Sequence, residues 1–219
     1  MSTSEVMLRR EFLKKSAVGG GALVIGFYLP RRSEARAAVP PSEPVAANAW
    51  VRITPDDTVT ILIDKSEMGQ GVITAQAMLL AEELEFDWKK VKTEFAPAAP
   101  VYFNPVFGLQ GTGGSTSVRA SWEPLTKAGA AAREMLIAAA AQQWYVEPSA
   151  CHVENGAVVH NATGKRLGYG ALVEQAAKLS VPASPKLKDP KDYKYIGKPM
   201  KRLDTPEKVN GKAGFGIDV

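Results

Sequence analysis

The residues whose types and spacing could carry chemistry lie in two glycine-rich loops. The first, Glu67-Met68-Gly69-Gln70-Gly71, precedes a helix-like segment. Backbone N–H groups at a helix start form the positive end of the helix dipole and favour the binding of anions such as phosphate. Gly69 and Gly71 allow close approach, and the Gln70 amide can donate and accept hydrogen bonds. The loop therefore predicts anion binding, with a plain strand-to-helix turn as the alternative.

The second loop is Gln110-Gly111-Thr112-Gly113-Gly114-Ser115-Thr116-Ser117, and it also leads into a helix. Four hydroxyl groups and three glycines at a helix start are suited to hold a pyrophosphate through N–H and O–H donors. The alternative is an N-capped helix after a flexible loop. Neither loop is followed by Gly-Lys-Ser/Thr, which argues against nucleoside triphosphate hydrolysis.

The charge distribution argues against nucleic-acid binding. The chain has 219 residues and a net charge of +4, and 45% of its residues are hydrophobic, which is typical of a globular protein. Residues 1–37 contain seven Lys/Arg and three Asp/Glu, so they hold the whole excess. The remaining 20 basic and 20 acidic residues cancel, and a neutral body offers no electrostatic footprint for DNA or RNA.

Residues 1–37 resemble a bacterial export signal of the twin-arginine (Tat) type. Arg9-Arg10 is followed by Phe-Leu-Lys, then by an apolar run from Ala17 to Leu29 and by the small residues Ala35 and Ala37. The run is shorter than the roughly 20 apolar residues of a membrane span. We therefore expect a periplasmic protein, with an uncleaved membrane anchor as the alternative. The Tat route carries folded proteins, typically with a cofactor inserted, which favours a cofactor enzyme.

The elements that must position the two loops alternate between strands and helices. An Ala-rich stretch predicts a long helix packed closely on a neighbour, and Glu82, Glu83 and Glu85 are expected to form a solvent-facing side of the preceding helix. The predicted strands are 50–54, 58–63, 91–95, 144–146, 151–154 and 157–160; the predicted helices are 72–86, 117–143 and 169–179; and 97–116 is a long loop.

The predicted organisation is a signal at 1–37, an α+β body at 38–180, a Pro- and Lys-rich linker at 181–210, and the start of a further domain at 211–219. Cys151 is the single cysteine, which excludes a disulfide or an iron–sulfur cluster bound by this chain alone. His152 and His160 lack partners in a metal-binding spacing, so packing or surface roles are favoured for them.

The body resembles the N-terminal part of the large, molybdenum-binding subunit of the xanthine dehydrogenase/aldehyde oxidase family, in the exported branch of isoquinoline 1-oxidoreductase beta subunits. The two glycine loops carry the resemblance. Further matching segments are Ala81-Glu82-Glu83-Leu84, Tyr102-Phe103-Asn104-Pro105, Ala128-Gly129-Ala130, Arg202-Leu203-Asp204 and Gly211-Lys212-Ala213.

The resemblance implies part of a molybdenum-cofactor-binding domain in an enzyme that hydroxylates aldehydes or N-heterocycles with oxygen from water. It assigns Gly69, Gln70 and Gly71, together with Gly114, Ser115, Thr116 and Ser117, to binding molybdopterin cytosine dinucleotide. It also implies an iron–sulfur small subunit carrying [2Fe-2S], the remainder of the large subunit and a small-molecule substrate. A cytochrome c is one candidate electron acceptor.

One departure limits what the chain is expected to do alone. The family's catalytic glutamate stands in a Gly-x-Gly-Glu motif that this sequence lacks. We therefore expect a fragment that forms part of a cofactor cradle without turnover, in which the loop 97–116 and the Ala-rich helix at 125–141 are partly exposed. If the chain were active alone, the base would be sought among Glu67, Glu82 and Glu123. The alternatives are a non-catalytic exported binding module and an inactive remnant.

Overall fold

The computed structural model describes residues 50–214 and 217, and the backbone of residues 23–25. The predicted export signal at 1–37 and residues 38–49 lie outside the described residues, apart from the backbone of 23–25. Among the residues described, no helix is long and apolar enough to span a membrane. Of the expected start of a further domain at 211–219, residues 211–214 and 217 are described, and 211–214 have no regular structure.

A four-stranded sheet of order β1-β2-β3-β4 forms one layer of the fold. The pairs β1–β2 and β2–β3 are antiparallel, whereas β3 and β4 are parallel, which requires a crossover connection such as the helix between them. The predicted hairpin is confirmed, and all five residues of β3 are buried. The strands are β1 (Leu23–Ile25), β2 (Val51–Ile53), β3 (Val59–Ile63) and β4 (Val91–Phe95).

Two long helices pack against each other beside this sheet. They are α1 (Val72–Leu84) and α2 (Ser117–Trp144), close to the predicted bounds. Gly129 of α2 lies so near α1 that a Cβ there would stand 2.5 Å from the Leu80 carbonyl oxygen. The close approach predicted from the Ala-rich composition is thus confirmed. The expected exposure of the helix at 125–141 is wrong, since most of its apolar side chains are buried by α1 and the sheet.

A smaller antiparallel sheet follows α2. Its strands are β5 (Cys151–Glu154), β6 (Ala157–His160) and β7 (Arg166–Gly168), and β7 leads directly into α3 (Tyr169–Ala176). The Asn155-Gly156 turn is confirmed, while the strand predicted at 144–146 is wrong. Trp144 ends α2 and Tyr145 is its left-handed C-cap, so the helical hydrogen bonds continue where a strand was expected. The buried Tyr169 hydroxyl donates to the Leu84 carbonyl at 2.6 Å and ties α3 to α1.

Much of the segment predicted as a linker, 181–210, packs along α1. We call residues 186–204 the strap. It has little regular structure, with one short 3-10 turn, Pro190–Asp192, and it precedes a short helix, α4 (Thr205–Val209). The strap crosses the end of α1 that was expected to face solvent.

The expectation that Glu82, Glu83 and Glu85 face solvent is wrong, because the strap covers them. Glu82 and Glu83 are fully buried. Glu82 accepts from Lys188 Nζ at 2.6 Å and from the three successive backbone N–H groups of 194–196 at 2.6–3.1 Å. Burial alone would raise the pKa of Glu82, but these donors outweigh it and the pKa lies below its usual value.

Candidate functional site

The two glycine loops lie side by side at one end of the helix pair. Ser66 N–H in front of the first loop donates to Thr112 Oγ1 of the second at 2.8 Å. Near the helix starts, Gln76 Nε2 of α1 donates to Ser121 Oγ of α2, also at 2.8 Å. Gly129 and Arg133, further along α2, meet the later part of α1, so the helices run in the same direction and their N-termini are neighbours.

A carboxylate from the first loop caps the N-terminus of α1. Glu67, whose side chain is 5% exposed, accepts from the N–H groups of Gly69 at 2.8 Å, Gly71 at 2.9 Å and Ile73 at 3.1 Å. Burial opposes ionisation, yet these N–H groups hold the pKa of Glu67 below its usual value. An internal carboxylate therefore already accepts from these amides, and anion binding by the first loop stays a prediction.

Gln70 also serves the loop itself. Its Oε1 accepts from Met68 N–H at 2.6 Å, and its Nε2 donates to the Ser66 carbonyl at 2.9 Å. Gly69 and Gly71 have φ angles of 99° and 86°, which side-chain-bearing residues rarely adopt. The loop is thus a defined turn whose exposed edge consists of Met68, Gly69 and Gln70.

The second loop is built differently and presents its donors outward. Gly114 and Ser115 both have positive φ angles, 57° and 52°, and both residues are exposed. Thr116 is buried and holds the turn together: its hydroxyl donates to the Gly113 carbonyl at 2.8 Å and accepts from Asn104 Nδ2 at 2.6 Å. Thr116 is therefore a structural member of the loop, whereas Ser115 is available to a ligand.

The N-terminus of α2 has no side-chain cap. Thr116 stands at the N-cap position, but its side chain makes no capping hydrogen bond, and the first turn contains no acidic residue. The first N–H groups of a helix have no partner within the helix, so they need a cap, water or a ligand. In α1, by contrast, Glu67 accepts from N–H groups at the helix start.

A buried cluster of polar side chains, which the sequence did not predict, connects the end of β3 with the first turns of α1 and α2. Asp64 and Lys65 form an ion pair at the end of β3, with side chains 4% and 1% exposed. Gln76 Nε2 donates to Asp64 Oδ1 at 2.7 Å as well as to Ser121. Gln76 Oε1 is buried and has no hydrogen-bond partner among the described residues. Adjacent Asp-Lys gives no sequence signal of burial, since such pairs are usually exposed.

Arg202 of the strap also reaches the site. Its Nη1 donates to the Gly69 carbonyl at 2.8 Å, and its Nη2 lies 3.2 Å from Glu67 Oε1. Leu203 N–H donates to Thr74 Oγ1 at 3.0 Å, which seats the end of the strap on the first turn of α1. Arg202 lies more than 130 residues from the loop that it contacts, so no local pattern in the sequence predicts this role.

Apolar side chains surround the two loops and face solvent. The large exposed ones in this neighbourhood are Met68, Phe95, Val106, Phe107, Leu109, Val118 and Trp122. This confirms the expected exposure of the loop 97–116. We call these seven side chains the apolar rim, and exposed apolar side chains grouped near a polar site are typical of a surface that another protein segment covers.

The remaining candidates lie away from the loops or are engaged elsewhere. Glu123 pairs with Lys127 on an exposed face of α2, and Glu82 is held by the strap. His152 Nδ1 contacts Asn161 Oδ1 at 2.6 Å, and His160 lies against Trp144. Cys151 is buried, and burial raises the pKa of its thiol. Residues 50–214 bring together no group of three His, Cys, Asp or Glu that could hold a metal ion.

Comparison with known proteins places this arrangement in a family. The isoquinoline 1-oxidoreductase beta subunit of Brevundimonas diminuta is 31% identical over 96% of this chain, and the match covers 32% of that subunit. The membrane-bound aldehyde dehydrogenase [pyrroloquinoline-quinone] of Gluconacetobacter polyoxogenes is 33% identical over 96% of this chain and 27% of its own length. The chain thus spans about a third of the curated relatives that it matches.

Among solved structures, quinoline 2-oxidoreductase from Pseudomonas putida 86 aligns with 62% of this chain and 17% of its own at a TM-score of 0.47 and 19% identity. The sequence model of the molybdopterin cofactor-binding domain matches residues 8–216. This match extends over nearly the whole chain, including both glycine loops. The chain therefore belongs to the molybdopterin cofactor-binding domain family.

Proposed function

We propose that this chain supplies part of the cradle for the molybdenum cofactor in an exported molybdenum hydroxylase that oxidises aldehydes or N-heterocycles with water as the oxygen source. The observation that carries the proposal is the uncapped N-terminus of α2 beside the exposed Ser115. A dinucleotide contributes a diphosphate, and a helix N-terminus flanked by hydroxyls suits that group. The family membership names the cofactor to which the diphosphate belongs.

The residues divide into two roles under this proposal. Gly114, Ser115 and Ser117 bind the diphosphate through N–H and O–H donors, and Thr116 holds their turn in shape. Gly69 and Gln70 contact the cofactor through the exposed edge of their turn, and the half-buried Gly71 shapes that turn, since Glu67 occupies the N–H groups of Gly69 and Gly71. The cytosine dinucleotide form is the one that we propose.

When bound, the cofactor would supply the two-electron redox chemistry. The chain's own residues bind and orient it, and the sequence contains no Gly-x-Gly-Glu motif for a proton-abstracting base. We therefore assign the base and the other cofactor contacts to the remainder of the large subunit, which would cover the apolar rim. A small subunit carrying [2Fe-2S] and a cytochrome c acceptor complete the proposed electron path.

The test is the cofactor content of the complex that forms around the full chain. Ser115→Ala and Ser117→Ala each remove one hydroxyl donor, and hydrogen bonds to charged groups contribute roughly 1.5–3 kcal/mol each. We expect the double variant to retain much less molybdenum and pterin than the wild type. Ser180→Ala, at an exposed position after α3, is the matched control and should retain normal content. Full molybdenum content in the double variant would contradict the assignment.

One observation favours the alternative of a cofactor-free exported binding module. The internal Glu67 carboxylate stabilises the first loop without any ligand, so this loop is explicable as a purely structural turn. A binding module predicts a complex that is complete and stable but contains no molybdenum and no pterin. The same metal and pterin analysis of the wild-type complex separates the two functions.

We further propose that residues 1–37 direct the protein to the periplasm by the twin-arginine route. The Arg9-Arg10 pair and the concentration of the net charge in this segment support the proposal. Replacing both arginines with lysine should leave the protein in the cytoplasm. Unchanged export of this variant in cell fractionation would show that another route operates.

A further inference from the structure

The strap follows α1 from its C-terminal end to its N-terminal end. Its first residue is held by α2, where Lys186 N–H donates to Glu134 Oε1 at 2.7 Å. Lys188 then fixes it to α1 by donating to the buried Glu82 and Glu83. It ends with Leu203, which donates to Thr74 in the first turn of the helix. These contacts with α1 therefore determine where the last strap residues lie.

Arg202 is the strap residue that reaches the first glycine loop. Its guanidinium makes three kinds of contact: with the Gly69 carbonyl at 2.8 Å, with Glu67 at 3.2 Å, and with Asp204 at 2.8 Å and 3.0 Å. The Gly71 side of the loop is also close, since a Cβ at Gly71 would stand 3.9 Å from the Arg202 Cζ. A planar fork of five donors is needed to make all of these contacts at once.

The guanidinium also balances two carboxylates. Glu67 and Asp204 have side chains 5% and 10% exposed, and both approach the same Nη2. The hydrogen bond from Arg202 lowers the pKa of Asp204 well below its usual range, and the charge of Asp204 opposes ionisation of Glu67. Without Arg202 the two negative charges would repel each other, and Glu67 would hold the loop amides less firmly.

We propose that Arg202 is a positioning residue that fixes the Gly69–Gly71 turn through Glu67 and the Gly69 carbonyl. The inference rests on the proposed function in so far as this turn contacts the cofactor. In this role Arg202 acts through Glu67 and the Gly69 carbonyl. Because the strap is held on α1, Arg202 keeps the turn in its conformation before the cofactor binds.

The experiment compares Arg202→Gln and Arg202→Lys with the wild-type full chain in its complex. Arg166→Gln is the matched control, because Arg166 also pairs with a carboxylate, Glu154, but on the small sheet. Two quantities are measured: hydrogen exchange of the amides in residues 66–73, three of which donate to Glu67, and molybdenum content. Exchange in residues 151–160 reports on the rest of the fold.

We expect Arg202→Gln to raise exchange in residues 66–73 about tenfold, to leave 151–160 unchanged and to lower molybdenum content. Arg202→Lys should recover only part of the protection, because one ammonium cannot contact the carbonyl and both carboxylates. Unchanged exchange in Arg202→Gln, faster exchange throughout the chain, or full recovery with lysine would each overturn the proposal. A wild-type complex without molybdenum would refute the proposed function, and the exchange comparison would still decide the role of Arg202.

Discussion

Replacing Glu82 with glutamine should detach the strap and remove a large part of the chain's stability. The Glu82 carboxylate accepts from Lys188 Nζ at 2.6 Å and from three backbone N–H groups of the strap. Glutamine keeps the size but removes the charge and turns an NH2 group toward donors. Lys188, whose side chain is 8% exposed, would keep only Glu85 at 3.3 Å as a carboxylate partner.

Removing one partner of a buried ion pair costs about 3–5 kcal/mol, and the remaining Glu85 contact places this case near the lower value. Single domains have free energies of unfolding of roughly 5–15 kcal/mol, so the loss is a large fraction of the total. Urea denaturation gives the free energy, and limited proteolysis reports on the strap. The control is Glu174→Gln, which loses only an exposed i,i+4 pair with Lys178. Equal denaturation midpoints for Glu82→Gln and this control would refute the reasoning.

Two further predictions concern packing and pH. Gly129→Ala should destabilise the chain by about 1–3 kcal/mol, because its Cβ would stand 2.5 Å from the Leu80 carbonyl and the helices must separate; thermal unfolding measures this loss. Lowering the pH should destabilise the fold as it passes from the usual carboxyl range through the lowered pKa values of Glu67 and Glu82, because the unfolded chain binds more protons there. A melting temperature that stays constant from pH 6 down to about pH 3 would contradict this sign.

The sequence was informative wherever one local pattern determined the outcome. The hairpin around Pro55-Asp56-Asp57, the Ala-rich helix and the Asn155-Gly156 turn were predicted because periodicity and turn residues act over a few positions. The three-residue strand β7 was missed because Arg166-Leu167-Gly168 is too short to show alternation. The end of α2 was misplaced because Trp144-Tyr145-Val146 has strand propensity, whereas the helix continues to Trp144.

The errors at the site have a different cause, since they depend on partners far along the chain. Glu82 and Glu83 were interpreted as a solvent-facing side because helical periodicity does not reveal the strap that covers them. The internal role of Glu67 had a usable signal: a glutamate at a helix start, two residues before Gly69 and four before Gly71, is placed to accept from loop amides. The uncapped N-terminus of α2 could not be predicted, because the sequence places Thr116 at the N-cap position and only the structure shows that its hydroxyl donates to the Gly113 carbonyl.

A structure of the complex formed by the full chain and its partner segments, with the cofactor bound, would show directly whether these residues hold the cofactor. We expect the diphosphate of the cofactor at the N-terminus of α2, within about 2.7–3.2 Å of the donors of Ser115 and Ser117. The first loop should keep Glu67 on its amides, with Arg202 in place. A diphosphate bound away from residues 110–117, or a complete complex that contains no cofactor, would contradict the central claim.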